Sequence, residues 1–137
     1  MTYLLIFVGG GIGAMARFFT ASTALRLARG HVGSWPALYY FPIGTLAVNW
    51  LGAFFIGLLV EWFALAFDGK PALGESLRYF LVVGVLGGFT TFSAFSLESY
   101  LMWVKGDYLP LMAYILLSVV GTLVMVLLGT ALVRLVI

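Results

Sequence analysis

The amino-acid sequence predicts an all-α integral membrane protein, a single domain of four transmembrane helices with the third helix broken. Three observations carry this. Of the 137 residues, 64% are hydrophobic and 9% are charged, whereas soluble domains carry about 25% charged residues. The apolar residues fall into four long blocks, each able to cross about 30 Å of hydrocarbon as a helix. Between the blocks stand short linkers with turn chemistry, RGHVGSWP, DGKPALGE and KGDYLP.

The first block covers about residues 3–27. It opens on MTYLLIFVGGG without a basic n-region, so it reads as a retained helix and not as a cleaved signal peptide. Its run GGGIGAMAR also fits a loose G-x-G-x-x-A dinucleotide pattern, but no strand precedes it and no βαβ unit surrounds it. The glycines fit close helix contact better. Arg17 either snorkels to a headgroup layer or faces a water-filled vestibule and attracts anions. His31 is assigned to a loop, with no role.

The second block, about 42–67, contains GTLAVNWLG. Thr45 and Asn49 lie at i, i+4 and share a helix face. An Asn in lipid is costly without partners; Asn49 is either glue between helices or a donor to a solute. Glu61 and Asp68 come at the end of this block and read as interfacial. Trp35, Trp62 and Trp103 lie near block ends, where indoles favour the membrane interface.

The third block, about 77–104, holds GGFTTFSAFSLE. Gly87 and Gly88 weaken a helix, and Thr90, Thr91, Ser93 and Ser96 bring hydroxyls that satisfy freed backbone groups. A helix broken inside the bilayer is a way to build an ion site, since freed carbonyls hold cations and half-helix N-termini favour anions. Phe92 and Phe95 at i, i+3 point the same way. Glu98 follows one turn later and reads as an interfacial or capping acid. In the fourth block, about 109–136, Tyr114, Ser118 and Thr122 repeat at i, i+4, i+8. They form a line of hydroxyls or else bond their own helix carbonyls.

The charges give almost no orientation. One face has Arg26, Arg29 and Lys105; the other has Lys70, Arg78 and Arg134. By the positive-inside rule such a chain is free to insert both ways and pair antiparallel with itself. A net charge of +2 is no nucleic-acid surface, and the absence of cysteine excludes disulfides and thiolate metal sites. There is no Ser-His-Asp set, no metal-ligand cluster and no nucleotide loop, so nothing reads as an enzyme. Neutral donors without an acid at any block centre suit an anion better than a cation.

GxxGAMAR, GTLAVNWLGAFFIG and GVLGGFTTFSAFSLE resemble the CrcB/Fluc family of bacterial fluoride channels, and the likeness covers nearly the whole chain. Ala94 departs from it, standing where the family usually has Thr. The resemblance implies an antiparallel, dual-topology homodimer in the bacterial inner membrane, with two fluoride pores that passively export fluoride and lower its toxicity. It implies one structural, untransported sodium ion at the dimer centre, held by the Gly87 and Thr90 carbonyls. It assigns the fluoride path to Phe92 and Phe95, whose ring edges face the anion, and to Asn49, Thr91, Ser93, Tyr114, Ser118 and Thr122. Arg17 and Glu98 match family positions as vestibule or structural residues. Two other readings are a proton-coupled exporter of the small multidrug-resistance kind and a non-transporting membrane subunit. The first relies on an acid in its first helix, where this chain has Arg17; the second leaves the Phe pair beside the hydroxyls unexplained.

Overall fold

A computed structural model describes residues 1–31, 41–67 and 71–136. Trp35, Asp68 and Lys70 lie outside the described residues. The chain forms α1 (Thr2–His31), α2 (Ile43–Ala66), α3 (Pro71–Arg78), a π-helical segment (Tyr79–Leu86), a closing turn (Gly87–Phe89), α4 (Phe92–Lys105) and α5 (Tyr108–Val136). Among the described residues four stretches are long and apolar enough to cross a membrane: Thr2–Ala28, Ile43–Ala66, Gly74–Lys105 and Tyr108–Val136. α1 runs on through His31, which is therefore in the last turn of a helix and not in a loop. The run LRLA before it consists of good helix formers.

The third span is broken, but not at its glycines. Gly87 stays helical at φ −64, ψ −40. Thr90 and Thr91 are the extended residues, at φ −79, ψ 157 and φ −150, ψ 121. β-Branched side chains favour that backbone region, so the threonines open the helix. The glycines serve packing instead. A Cβ on Gly88 would come within 2.5 Å of the Gly10 carbonyl oxygen, and one on Gly9 within 2.6 Å of the Phe80 oxygen. A Cβ on Gly13 would collide with the Val85 carbonyl. α1 and the π-helical segment thus meet backbone to backbone. The Gly87 N–H closes that segment by reaching back to the Val82 oxygen, an i→i−5 bond.

A second glycine seam joins α2 to α5, the most extensive helix pair in the molecule. Gly57 faces the Val126 carbonyl, Gly129 the Phe54 carbonyl, and Gly121 the Trp50 indole. The Trp50 Nε1–H donates to the Leu117 carbonyl at 2.9 Å, so a polar group inside the span is satisfied within the protein, as hydrocarbon demands. Arg134 Nε donates to Glu61 Oε1 at 2.7 Å, which ties the far ends of the same two helices. A small core gathers Leu46, Met102, Leu111 and Tyr114, with Phe41, Trp50 and Phe95 against it. Among the described residues α4 touches α5 and α2, and lightly. Its Phe92, Leu97, Tyr100 and Trp103 are exposed.

Candidate functional site

The break in the third span can be followed bond by bond. The Thr90 N–H and its Oγ1 both donate to the Leu86 carbonyl, at 2.9 and 3.0 Å. The Thr91 N–H donates to Asn49 Oδ1 at 2.8 Å, and Asn49 Nδ2 donates to the Thr91 carbonyl at 2.9 Å. Thr91 then caps α4: its Oγ1 accepts the Ala94 N–H at 3.2 Å, the usual service of a Thr in extended conformation before a helix. In an unbroken α-helix the Thr91 N–H would go to the Gly87 carbonyl and the Ala94 N–H to the Thr90 carbonyl. Both donors are diverted to side chains.

Two carbonyl oxygens are thereby relieved of their helical partners, one on each side of the extended pair. Hard oxygens without a carboxylate suit a cation of low charge. Among the described residues no cluster of His, Cys, Asp or Glu could hold a metal ion. The Gly87 and Thr90 carbonyls expected as sodium ligands are therefore the ones whose helical donors have gone elsewhere.

Two grooves meet at Thr91. One, of about 370 Å³, is lined by Asn49, Thr91, Phe92, Phe95, Ser118 and Thr122 among others, with no charged residue among the described ones. The other, of about 550 Å³, is lined by Arg17, Thr45, Thr91, Ser93 and Ala94 among others, with Arg17 the one charged residue among the described ones. The break thus brings together Asn49, Thr91, Phe92, Phe95, Ser118 and Thr122. It leaves Arg17 and Ser93 on the second groove, and Tyr114 and Glu98 one turn away from the first. Ala94 presents a methyl group there, and its backbone N–H still serves the cap.

Few of the hydroxyls remain uncommitted. The Tyr114 hydroxyl donates to Glu98 Oε2 at 2.6 Å, and Thr45 Oγ1 donates to Glu98 Oε1 at 2.7 Å. Thr122 Oγ1 donates back to its own helix, to the Ser118 carbonyl at 2.7 Å. Ser96 does the same to the Phe92 carbonyl at 2.9 Å. Thr91 and Ser93 share one bond at 3.2 Å, so one of their two protons stays available. Ser118 Oγ is buried and, although near the Tyr114 phenol, completes no hydrogen bond. The groove therefore keeps one N–H of the Asn49 amide and, where Ser93 donates to Thr91, the Thr91 proton, while the Ser118 hydroxyl lies buried in its wall. A buried hydroxyl without a partner is costly, and Ser99 Oγ on α4 is left in the same way.

Beside these donors runs a file of rings. Phe92 and Phe95 have centroids 5.3 Å apart, Phe95 and Tyr114 5.2 Å, and Tyr114 meets Phe41 edge-on at 5.7 Å. The sequence did not single out Phe41, which stands just before the second span, and offered Glu98 as an interfacial or capping acid or, by the family resemblance, as a vestibule or structural residue. Glu98 binds one hydroxyl from each of two other helices, a structural tie. Its signal was present: Thr45 and Tyr114 were both conspicuous, and a carboxylate is the natural acceptor for two donors with nothing else to bind.

A four-span chain with a helix broken inside a span and an uncharged, donor-lined groove beside the break defines a small multi-pass membrane protein of the channel and transporter class. The sequence comparisons narrow this. A family profile described as CrcB-like protein, Camphor Resistance (CrcB), matches residues 4–130. The chain belongs to this family. It is 46% identical over 134 residues to a "Fluoride-specific ion channel FluC" of Granulibacter bethesdensis, covering 98% of this chain and 95% of the relative. It is 40% identical over 131 residues to the protein so named in Mesorhizobium japonicum (96% and 94% covered). A third, in Legionella pneumophila, is 41% identical over 128 residues (93% and 86% covered).

Proposed function

We propose that this chain is a fluoride-selective channel of the bacterial cytoplasmic membrane, through which fluoride leaves the cell down its gradient. The observation that carries the reading is the groove at the helix break, lined by Asn49, Thr91, Phe92, Phe95, Ser118 and Thr122, in a chain whose relatives are named fluoride channels. Fluoride is small and strongly hydrated, so its path must offer strong donors at short range. The spare Asn49 N–H and the Thr91–Ser93 proton fit that need. The ring edges of Phe92 and Phe95 carry the positive part of the aromatic quadrupole and attract an anion without a full charge. Successive weak sites let the ion leave as readily as it enters. Thr122 lines the path with a hydroxyl whose proton is committed, and Tyr114, buried one turn away, backs Phe95, so both shape the path more than they bind.

The native form is an antiparallel homodimer in the lipid bilayer, with two pores. The exposed rings of α4, Phe92 foremost at 77% exposure, give a second copy a face to cover. The Gly87 and Thr90 carbonyls would hold a structural sodium ion; when bound it supplies a fixed positive charge near the path. Arg17 offers an anion its one cationic wall in the adjoining groove. A proton-coupled exporter is the less favoured reading, because α1 contains no acid.

Cells deprived of their own fluoride export test the reading. Expression of this chain should restore growth in fluoride and lower internal fluoride. A C-terminal reporter should be found on both sides of the membrane. Growth as poor as that of the empty cells would overturn the channel, and a reporter on one side only would overturn the antiparallel pair.

A further inference from the structure

We propose that Asn49 is a positioning residue: its amide clasps the backbone of Thr91 and, by keeping the Thr91 N–H away from the Gly87 carbonyl, holds the third helix open and that carbonyl free for a cation. The inference deepens the channel reading and rests on it for the identity of the cation.

Every backbone N–H inside a bilayer takes the partner it can reach. For the Thr91 N–H two acceptors compete: the Gly87 carbonyl, four residues back on its own helix, and Asn49 Oδ1, on α2. It takes Asn49, at 2.8 Å. The second arm of the amide, Nδ2 to the Thr91 carbonyl at 2.9 Å, makes the choice firm. A carboxamide is the side-chain group that offers an acceptor and a donor side by side, so it fits the N–H and C=O of a single extended residue. Thr91 is the right residue to receive it, because it is extended and its side chain is already occupied as the cap of α4. Gly52, three residues further along α2, lets the two segments approach: a Cβ there would collide with Thr90 Cγ2.

Two consequences follow. The cation site and the groove share one mechanical part, since Asn49 both diverts the Thr91 N–H from the Gly87 carbonyl and lines the groove itself. Without the clasp, the Thr91 N–H returns to Gly87 and the helix tends to heal, with loss of cation binding as well as of anion flux. A residue that only lined the groove would affect flux alone.

The test reads the cation without relying on flux. Purified protein is melted in sodium and in N-methylglucamine buffer. We expect sodium to raise the melting temperature of the native chain and to have no such effect on Asn49→Ala. An undiminished sodium shift in Asn49→Ala, or no shift in the native chain, would overturn the proposal. Should Asn49→Ala fail to fold, the native chain still decides. Isotope-labelled protein should give a through-hydrogen-bond coupling between the Thr91 amide nitrogen and the Asn49 side-chain carbonyl carbon. A coupling from Thr91 to the Gly87 carbonyl instead would contradict the clasp. Fluoride flux is measured in parallel: a native chain with the sodium shift and the coupling but no flux would defeat the channel reading and leave the clasp standing.

Discussion

The two halves of the third span are built in opposite ways. Before the break, the π-helical segment packs backbone to backbone on α1, through Gly9, Gly13, Gly84 and Gly88. After it, α4 is a regular helix that touches its own chain lightly and leaves large rings exposed. The first half is fixed by the absence of side chains and the second is defined by their presence. The difference separates the duties of the span: one half anchors the break, and the other carries the groups proposed to meet the ion.

That contrast can be broken at its strongest point first. Gly13→Ala puts a Cβ into the Val85 carbonyl, and we expect it to cost about 3 kcal/mol, the upper end of the range for overpacking. Loss of a monodisperse peak in size-exclusion chromatography is the expected reading. A stable Gly13→Ala protein would mean that the anchor is softer than its geometry implies.

Next in size is Tyr114→Phe, which removes the 2.6 Å bond to Glu98. A hydrogen bond to a charged group contributes about 1.5–3 kcal/mol, and the melting temperature should fall accordingly. An unchanged melting temperature would remove Glu98 as a tie between α4 and α5.

Smaller still is Phe95→Leu, which keeps most of the volume and loses the ring edge. Aromatic edge contacts amount to about 1 kcal/mol, so fluoride flux per folded protein should fall roughly three- to tenfold. Unchanged stability with lowered flux is what sharpens the comparison, because it separates the ion-meeting half from the anchoring half. Gly11→Ala should have the smallest effect, since a Cβ there meets nothing within 4 Å. A melting temperature within experimental error of native is expected.

The membrane spans were legible because hydrocarbon imposes a length and an apolar composition that any reader of the sequence can see. The break was legible as a region but not in its cause. Glycine is a known helix weakener, whereas at Gly87 and Gly88 the chain stays helical and the neighbouring threonines extend. Packing decided this, and packing between distant segments leaves no local trace. Asn49 stood out as a polar residue in lipid, but its partner on the third span is 42 positions away and was not legible. Thr122 was ambiguous between pathway and self-bonding; its proton goes to its own helix. The π-helical segment has no sequence signature in YFLVVGVL and arises where Gly9 and Gly13 let α1 come close.

Fluoride and chloride efflux from the same liposomes, expressed per reconstituted protein with the proton gradient collapsed, tests the central claim most directly. Fluoride should leave rapidly and chloride stay at the rate of empty vesicles, with Phe95→Leu slowing fluoride and leaving chloride where it was. Equal passage of both anions, or fluoride release that needs a proton gradient, would contradict a selective passive path built from neutral donors and ring edges.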